Sequence, residues 1–187
     1  MSSTISTMKP PTPAAHAICP TPLGDLLLAT THAGLAGAWF VEGQRDTPAW
    51  ADWGSALPGH PVLAEAARQM GAYFAGGRTG FDLPLDLSAG TAFQQAVWRA
   101  LLEIAPGAGT SYGALAARIG RPAAVRAVGT AVGANPLIVI VPCHRVLGRD
   151  GTLTGFGGGL WRKVALLRLE GWRVEGADAR ARVQRLA

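Results

Sequence analysis

Cysteine is scarce in this sequence. The 187 residues contain two cysteines, Cys19 and Cys143, which lie far apart in unlike contexts. Two such residues do not make the disulfide framework of a small secreted domain. No apolar run approaches the ~20 residues that a membrane-spanning helix needs, and residues 1–16 lack the basic start and apolar stretch of a secretory signal. These absences predict a cytoplasmic protein with no membrane partner, in which a free thiol can work.

Acidic residues are scarce in the second half of the chain. Residues 91–187 carry five Asp and Glu against thirteen Lys and Arg, whereas residues 1–90 carry seven against four. Such asymmetry is a mild indication that the second half binds a polyanion. A solvated arginine-rich surface is the alternative interpretation. The overall composition, with 49% hydrophobic residues, is that of a globular protein.

The first half of the chain predicts a small α/β domain with nothing obviously catalytic, so its expected role is structural. Hydrophobic periodicity and turn residues mark its elements. In order, they are a loose Ser/Thr/Pro-rich tail (1–16), two strands in a hairpin (23–30 and 34–41), a polar loop with Trp50 and Trp53 (42–61), a helix (62–74) and a strand (81–87) that Pro84 places at an edge.

The second half predicts helices after a boundary near residues 88–90. Thr91 and Gln94 have the spacing of a capping box at the start of a helix. Two short helices at residues 111–120 and 124–133, joined by a tight turn, match a helix-turn-helix. The second of these helices carries mostly small side chains, and its one long polar side chain is Arg126. This composition suits a close approach to DNA without much sequence readout. An ordinary buried helical hairpin is the alternative.

The stretch from Ile138 to Val146 carries the most chemistry. Four β-branched residues predict a buried extended segment that Pro142 ends. Cys143 then stands on a stiff turn directly before His144 and Arg145. Neighbouring cations lower the pKa of a thiol, and an adjacent base activates it as a nucleophile. The alternative is that Cys143 is a small buried hydrophobic residue, as most free cysteines are.

The remainder of the chain predicts loops and one helix. Residues 147–151 are turn-forming. Residues 154–159 form a glycine-rich loop that would let backbone N–H groups approach a ligand, but it lacks the Gly-Lys-Ser/Thr of a phosphate-binding loop. A helix with a basic face (Arg162, Lys163 and Arg168) spans residues 160–169. Residues from about 174 onward are expected to be a frayed polar tail.

Asn135-Pro136, the β-branched run and Pro-Cys-His-Arg-Val together resemble the active-site signature of the O6-alkylguanine-DNA alkyltransferases, also called methylated-DNA–protein-cysteine methyltransferases. The resemblance is specific over residues 91–172 and loose over 20–87. It implies a ribonuclease-H-like α/β domain (17–89), a mainly α, winged-helix-like domain with the helix-turn-helix (90–174), and terminal tails (1–16 and 175–187).

The resemblance also implies a role for each residue that matches the signature. Cys143 would accept the alkyl group, His144 would act through water as its base, Glu170 would orient the histidine, and Asn135 would brace the cysteine turn. Arg126, with Ala127 beside it, would enter DNA and fill the gap left by a flipped base. The groups expected to hold that base are Tyr112, the Val146 carbonyl, Phe156 and the backbone N–H near Gly157.

The implied reaction is irreversible repair of O6-alkylguanine, and of O4-alkylthymine, in double-stranded DNA. The protein would act once, without a small-molecule cofactor, as a monomer for which cooperative assembly on DNA is left open. Phe156 stands where many members have Tyr, which removes one hydrogen bond to the leaving base. Some members bind zinc in the first domain, but His16, Cys19, His32 and His60 lack the spacing of a structural site, so no metal is expected.

Two other classes of protein remain as alternatives. A DNA-binding regulator would explain the helix-turn-helix and the charge, and its sequence-specific binding would survive loss of the thiol. A hydrolase with a Cys143–His144–Glu170 relay would turn over repeatedly on an ester or amide. The Pro-Cys-His-Arg motif favours neither.

Overall fold

The N-terminal part of the chain forms a sheet with one helix. The computed structural model describes residues 12–44, 47–48, 54–176 and 181–185, without the side chain of Arg185. Strands β1 (Pro13–Cys19), β2 (Leu26–Thr31) and β3 (Gly34–Phe40) run antiparallel to their neighbours, and the two-residue β4 (Ser55–Ala56) is parallel to β1. The order in the sheet is β3-β2-β1-β4.

The hairpin predicted from residues 23–41 is confirmed as β2 and β3. The prediction of a loose tail over residues 1–16 is wrong for its last four residues, which belong to a strand. β1 begins at Pro13, and its alternate residues Ala15, Ala17 and Cys19 are buried against the core. Alanine buries so little apolar area that this alternation is weak in the sequence. Trp50 and Trp53 of the predicted loop lie outside the described residues, and β4 interrupts the loop.

Helix α1 (Pro61–Phe74) confirms the helix predicted at residues 62–74. Pro61 takes the first helical position, where its missing N–H costs nothing. The segment at residues 81–87 is extended beside β3, as predicted, but it makes a single ladder contact instead of a full strand. The Leu35 N–H donates to the Pro84 carbonyl and the Asp86 N–H to the Leu35 carbonyl, both at 2.8 Å. Pro84 cannot donate, so the pairing does not extend.

The C-terminal part begins with three helices: α2 (Ala92–Leu102), α3 (Tyr112–Arg118) and α4 (Val125–Gly133). The capping box is confirmed, because the Thr91 hydroxyl accepts from the Gln94 N–H and the Gln94 side chain accepts from the Thr91 N–H. Trp98 of α2 donates its indole N–H to the Ala131 carbonyl of α4 at 2.8 Å. The short strands β5 (Thr110–Ser111) and β6 (Val146–Leu147) pair in parallel.

The β-branched run before Cys143 is buried, as predicted, but it is not extended. Its first residue pairs with the N-terminal sheet, since the Ala38 N–H donates to the Pro136 carbonyl and the Ile138 N–H to the Ala38 carbonyl. The chain then turns: the Val141 N–H donates to the Leu137 carbonyl at 2.8 Å, and Val139 has a φ of 73°. A β-branched residue rarely adopts that conformation, so packing must hold it there.

Two further predictions, both for the C-terminal end of the chain, are wrong. Helix α5 (Leu160–Leu169) lies where expected, but its basic face is not exposed, because Arg162 and Lys163 are buried. The predicted frayed tail over residues 175–187 instead contains β8 (Arg182–Arg185), which pairs antiparallel with β7 (Trp172–Glu175) over a small apolar cluster. Over the part of the chain that the structure describes, no helix is both long and apolar enough to cross a membrane.

Candidate active site

Cys143 begins a 3₁₀ turn, Cys143–Arg145, directly after Pro142 and is 7% exposed. The Asn135 amide braces this turn: its Nδ2 donates to the Val141 carbonyl at 2.9 Å and to Cys143 Sγ at 3.2 Å. Its Oδ1 accepts from the Leu137 N–H at 3.0 Å. One side chain therefore holds the thiol and both ends of the preceding turn, Leu137 to Val141.

The Cys143 thiol is not acidified at rest, contrary to the expectation that neighbouring cations lower its pKa. Burial raises its pKa, and the hydrogen bond from Asn135 and the charge of Lys163 only partly offset this effect. Arg145, two positions later in the chain, contributes little because its guanidinium points away, toward Glu170. Cys143 is a thiol at neutral pH, and forming the nucleophile requires a base.

His144 is the base nearest in sequence and is completely buried. Its Nε2 lies 3.0 Å from Glu170 Oε1. Because the carboxylate can only accept, Nε2 carries the ring proton and donates a hydrogen bond to Glu170. Nδ1 is then an acceptor, and within the described structure no hydrogen bond reaches it. Burial lowers the pKa of His144, although the Glu170 carboxylate opposes this effect. The ring is therefore neutral and able to take a proton at Nδ1.

Glu170 is held by an unusually full set of donors. Besides His144, Arg145 donates from Nε to Oε2 at 2.8 Å and from Nη2 to Oε1 at 2.7 Å. Tyr73 donates its hydroxyl to Oε1 at 2.9 Å. Burial would raise the pKa of Glu170, but the hydrogen bonds from His144 and Arg145 outweigh it and lower the pKa to about 2. The carboxylate is therefore charged at all physiological pH values.

Cys143 opens into a cavity of about 610 Å³, large enough for a nucleobase. Its wall comes from α4 and from the glycine-rich loop at residues 154–159, here called the glycine loop. The predicted site residues among its lining are Tyr112, Asn135, Cys143, Phe156 and Gly157. His144 and Glu170 are not part of this wall. Cys143 thus borders the cavity, while His144 and Glu170 lie in the protein interior.

Comparison with known proteins identifies the family. Residues 92–172 match the family model for the DNA binding domain of 6-O-methylguanine DNA methyltransferase, and residues 15–87 match its ribonuclease-like domain. The chain belongs to the 6-O-methylguanine DNA methyltransferase family. A methylated-DNA–protein-cysteine methyltransferase of Mycobacterium leprae is 49% identical over 149 residues, covering 80% of this chain and 87% of the relative. One from Methanosarcina barkeri is 45% identical over 153 residues, covering 82% and 94%.

Solved structures agree with this assignment. The crystal structure of Mycobacterium tuberculosis O6-methylguanine methyltransferase matches with a TM-score of 0.74 at 47% identity, covering 83% of this chain and 92% of that one. The structure of Mycobacterium tuberculosis OGT in complex with DNA gives the same TM-score at 46% identity, covering 84% and 92%. The two-domain architecture, ribonuclease-like and then DNA-binding, is confirmed.

The structure of this 6-O-methylguanine DNA methyltransferase family member brings the predicted catalytic residues together. Asn135 bonds to Cys143 and Glu170 bonds to His144, so all four residues lie around the 3₁₀ turn. Arg126 and Ala127 are exposed on α4, outside the cavity wall that the same helix builds. Among the described residues, no three His, Cys, Asp or Glu side chains form a group that could hold a metal ion.

Sequence reasoning missed Tyr73, which connects the ribonuclease-like domain to Glu170. Tyr73 is buried on α1, and 97 positions separate it from Glu170, the residue to which it donates. Burial and the charge of Glu170 raise the pKa of Tyr73, so the hydroxyl keeps its proton and stays a donor. In the sequence it is one apolar position of an amphipathic helix, and nothing there distinguishes it from the core.

Sequence reasoning also misplaced Lys163, which was expected on a basic surface. Its ammonium is fully buried and donates to the Val146 carbonyl at 2.6 Å and to Thr154 Oγ1 at 3.2 Å. Tyr112 joins the same network, because its hydroxyl lies 2.9 Å from Thr154 Oγ1. Burial lowers the pKa of Lys163 to about 8, while the nearby Cys143 opposes the shift. The cation stands beside the thiol and beneath the glycine loop.

Proposed function

We propose that this protein repairs alkylated DNA by direct reversal. It transfers the alkyl group from O6 of guanine, and from O4 of thymine, to Sγ of its own Cys143. The observation that carries this proposal is the position of Cys143, whose thiol faces a base-sized cavity while the neutral His144, oriented by Glu170, lies behind it. The close relatives, named methylated-DNA–protein-cysteine methyltransferases, support the same chemistry.

The reaction starts with removal of the thiol proton. Because burial keeps Cys143 protonated, the proton must move to a base, and His144 Nδ1 is the free acceptor. One water between Sγ and Nδ1 would carry it, and the Glu170 carboxylate stabilises the imidazolium that forms. The pKa of Glu170, about 2, keeps that carboxylate charged throughout.

The thiolate then attacks the alkyl carbon. A sulfur–carbon bond forms, the bond between that carbon and the base oxygen breaks, and the restored base leaves. The base takes up one proton at its ring nitrogen, which balances the proton that left Cys143, so neither an oxidant nor a cofactor is needed. Tyr112, on the cavity wall, is the group placed to donate toward the base. The thioether product resists hydrolysis, and each molecule therefore acts once.

The target base must leave the duplex to reach Cys143, at a cost of about a few kcal/mol. We propose that α3 and α4 act as a helix-turn-helix, with α4 in the minor groove and Arg126 filling the gap beside Ala127. Both residues are exposed, and four of the nine residues of α4 are Gly or Ala, which allows close approach. The arginine excess of the second half would attract phosphates and make binding salt-dependent.

The flipped base would be held by the cavity wall. Phe156 and Gly157 line that wall, which supports the proposal that the Phe156 ring and the Gly157 backbone N–H contact the base. The Val146 carbonyl accepts from Lys163 Nζ, and because a carbonyl oxygen has two lone pairs, we propose that it also accepts from the exocyclic amine of guanine. We further propose that the protein acts as a monomer without a small-molecule cofactor or metal, in the reducing cytoplasm, where its cysteines stay free thiols.

The test is mass spectrometry of the protein after mixing with a duplex that carries one O6-methylguanine. We expect the Cys143 peptide to gain one methyl group, with one methyl lost from DNA per protein molecule. Cys143→Ser should bind the duplex but gain nothing. Sequence-specific binding without modification would instead indicate a regulator, and repeated turnover on an ester would indicate a hydrolase.

A further inference from the structure

The glycine loop is tied to the ribonuclease-like domain through one buried cation, Arg162. This residue lies in the first turn of α5 and is 5% exposed. Its Nη1 donates to the Gly158 carbonyl at 2.8 Å, and its Nε donates to the Leu23 carbonyl at 2.8 Å. Gly158 belongs to the glycine loop, and Leu23 belongs to the turn between β1 and β2. The guanidinium therefore joins the two domains by its rigid fork.

Aromatic rings fix the plane of this guanidinium. Its central carbon lies 4.1 Å from the centroid of the Phe40 ring and 4.5 Å from that of the Trp161 ring. Among the described residues, no carboxylate lies within ion-pairing distance of this guanidinium, so its direct contacts are carbonyls and rings. The Glu42 carboxylate acts on the charge from farther away and partly offsets the effect of burial, which lowers the pKa of Arg162. Gly24 has a φ of 107°, and a Cβ there would lie 3.1 Å from Nη2, so the turn is shaped around the cation.

The loop is also seated directly on the N-terminal sheet. A Cβ on Gly158 would lie 3.0 Å from both the Phe40 ring and the Ile138 side chain, which is tighter than ordinary packing. Gly158 follows Phe156 and Gly157, which line the cavity that contains Cys143. A displacement of the Gly158 carbonyl would therefore move the wall against which the base must sit.

We propose that Arg162 is a positioning residue that holds the glycine loop against the ribonuclease-like domain in the geometry needed for alkyl transfer. This inference rests on the proposed function, because it concerns how the flipped base is placed. Arg162 does not touch Cys143, His144 or Glu170 in the hydrogen-bond network of the relay. Its loss should leave the reactivity of the thiol intact and impair the placement of the base.

The test compares Arg162→Gln with Arg168→Gln, a matched change at an exposed residue of the same helix, whose guanidinium donates to the Val174 carbonyl and not to the glycine loop. We expect Arg162→Gln to slow single-turnover methyl transfer from an O6-methylguanine duplex by about ten- to a hundredfold. Its affinity for an undamaged duplex and the rate at which Cys143 reacts with iodoacetamide should change less than about twofold. Arg162→Lys should recover only part of the rate, since a point charge cannot reproduce the fork. Arg168→Gln should behave as the unmodified protein.

Two further measurements separate positioning from general damage. Hydrogen exchange of peptides covering residues 154–159 should accelerate in Arg162→Gln but not in Arg168→Gln. Trp161→Ala removes one stacking ring at a side chain that is 54% exposed, so this variant should fold normally and transfer a few times more slowly.

A wild-type transfer rate in folded Arg162→Gln would overturn the inference. So would a parallel loss of transfer, iodoacetamide reactivity and thermal stability, because that pattern indicates a purely structural role. Failure of the unmodified protein to methylate Cys143 would instead overturn the proposed function itself.

Discussion

Glu170 has a buried side chain whose charged form the fold stabilises, and Glu170→Gln tests this directly. Lowering its pKa from 4.5 to about 2 corresponds to roughly 3 kcal/mol of folding free energy at neutral pH. The substitution also leaves the buried Arg145 without its carboxylate, and removing one partner of a buried ion pair costs about 3–5 kcal/mol. Both arguments predict a loss of about 3–5 kcal/mol, or roughly 10 °C in Tm.

The assay is urea unfolding followed by tryptophan fluorescence between pH 7 and pH 3. A lowered pKa contributes stability above the unfolded value of 4.5 and loses it as the pH falls toward about 2. The difference between the unmodified protein and Glu170→Gln should therefore be largest near neutral pH and shrink below pH 4.5. Glu103→Gln, at an exposed pair with Arg118, is the control and should cost less than about 1 kcal/mol. Equal stability at pH 7, or a difference independent of pH, would refute the reasoning.

Three further substitutions test other contacts of the site. Tyr73→Phe removes one donor to the Glu170 carboxylate, so urea unfolding should show a loss of about 1.5–3 kcal/mol with unchanged affinity for undamaged DNA; an unchanged midpoint would contradict the contact. Lys163→Met removes a cation that lowers the pKa of Cys143, so the pH profile of its reaction with iodoacetamide should move to higher pH, and a shift the other way would be evidence against this. Asn135→Ala removes the donor to Sγ and the brace of the turn. Time courses of peptide methylation should be at least about tenfold slower, and a normal rate would exclude Asn135 from the site.

The features that the sequence predicted well are those encoded within a few residues. The capping box of Thr91 and Gln94 is local, and so is the periodicity of α1. The Pro-Cys-His-Arg motif indicated the thiol and the base that we propose for it, because these residues are adjacent in the chain. Where local signals are weak, the prediction failed. The alanines of β1 hide its alternation of buried and partly exposed residues. The turn at Val139 is held by packing in the folded protein, and its β-branched neighbours in the sequence do not signal a turn.

Electrostatics was the least predictable property, because charges act through space. Arg145 follows Cys143 by two positions, but its guanidinium bonds to Glu170 instead of approaching the thiol. Burial is therefore the largest influence on the pKa of Cys143, and it raises that pKa. Lys163 looked like a surface residue and is instead the buried cation beside the thiol. The sign of the pKa shift of Cys143 therefore depended on side-chain directions that follow only from the packed fold.

The ribonuclease-like domain reaches the site at three separate places. The Ala38 backbone pairs with Pro136 and Ile138, which begin the segment leading to Cys143. Tyr73 donates to the carboxylate that orients the base, and Arg162 is held by Leu23 and Phe40 where it fixes the glycine loop. Each contact bears on a different requirement of the reaction: the thiol, the proton acceptor and the bound base. A domain that carries no reacting atom thus sets the geometry of all three, because the cysteine turn and the loop have too little regular structure of their own to hold it.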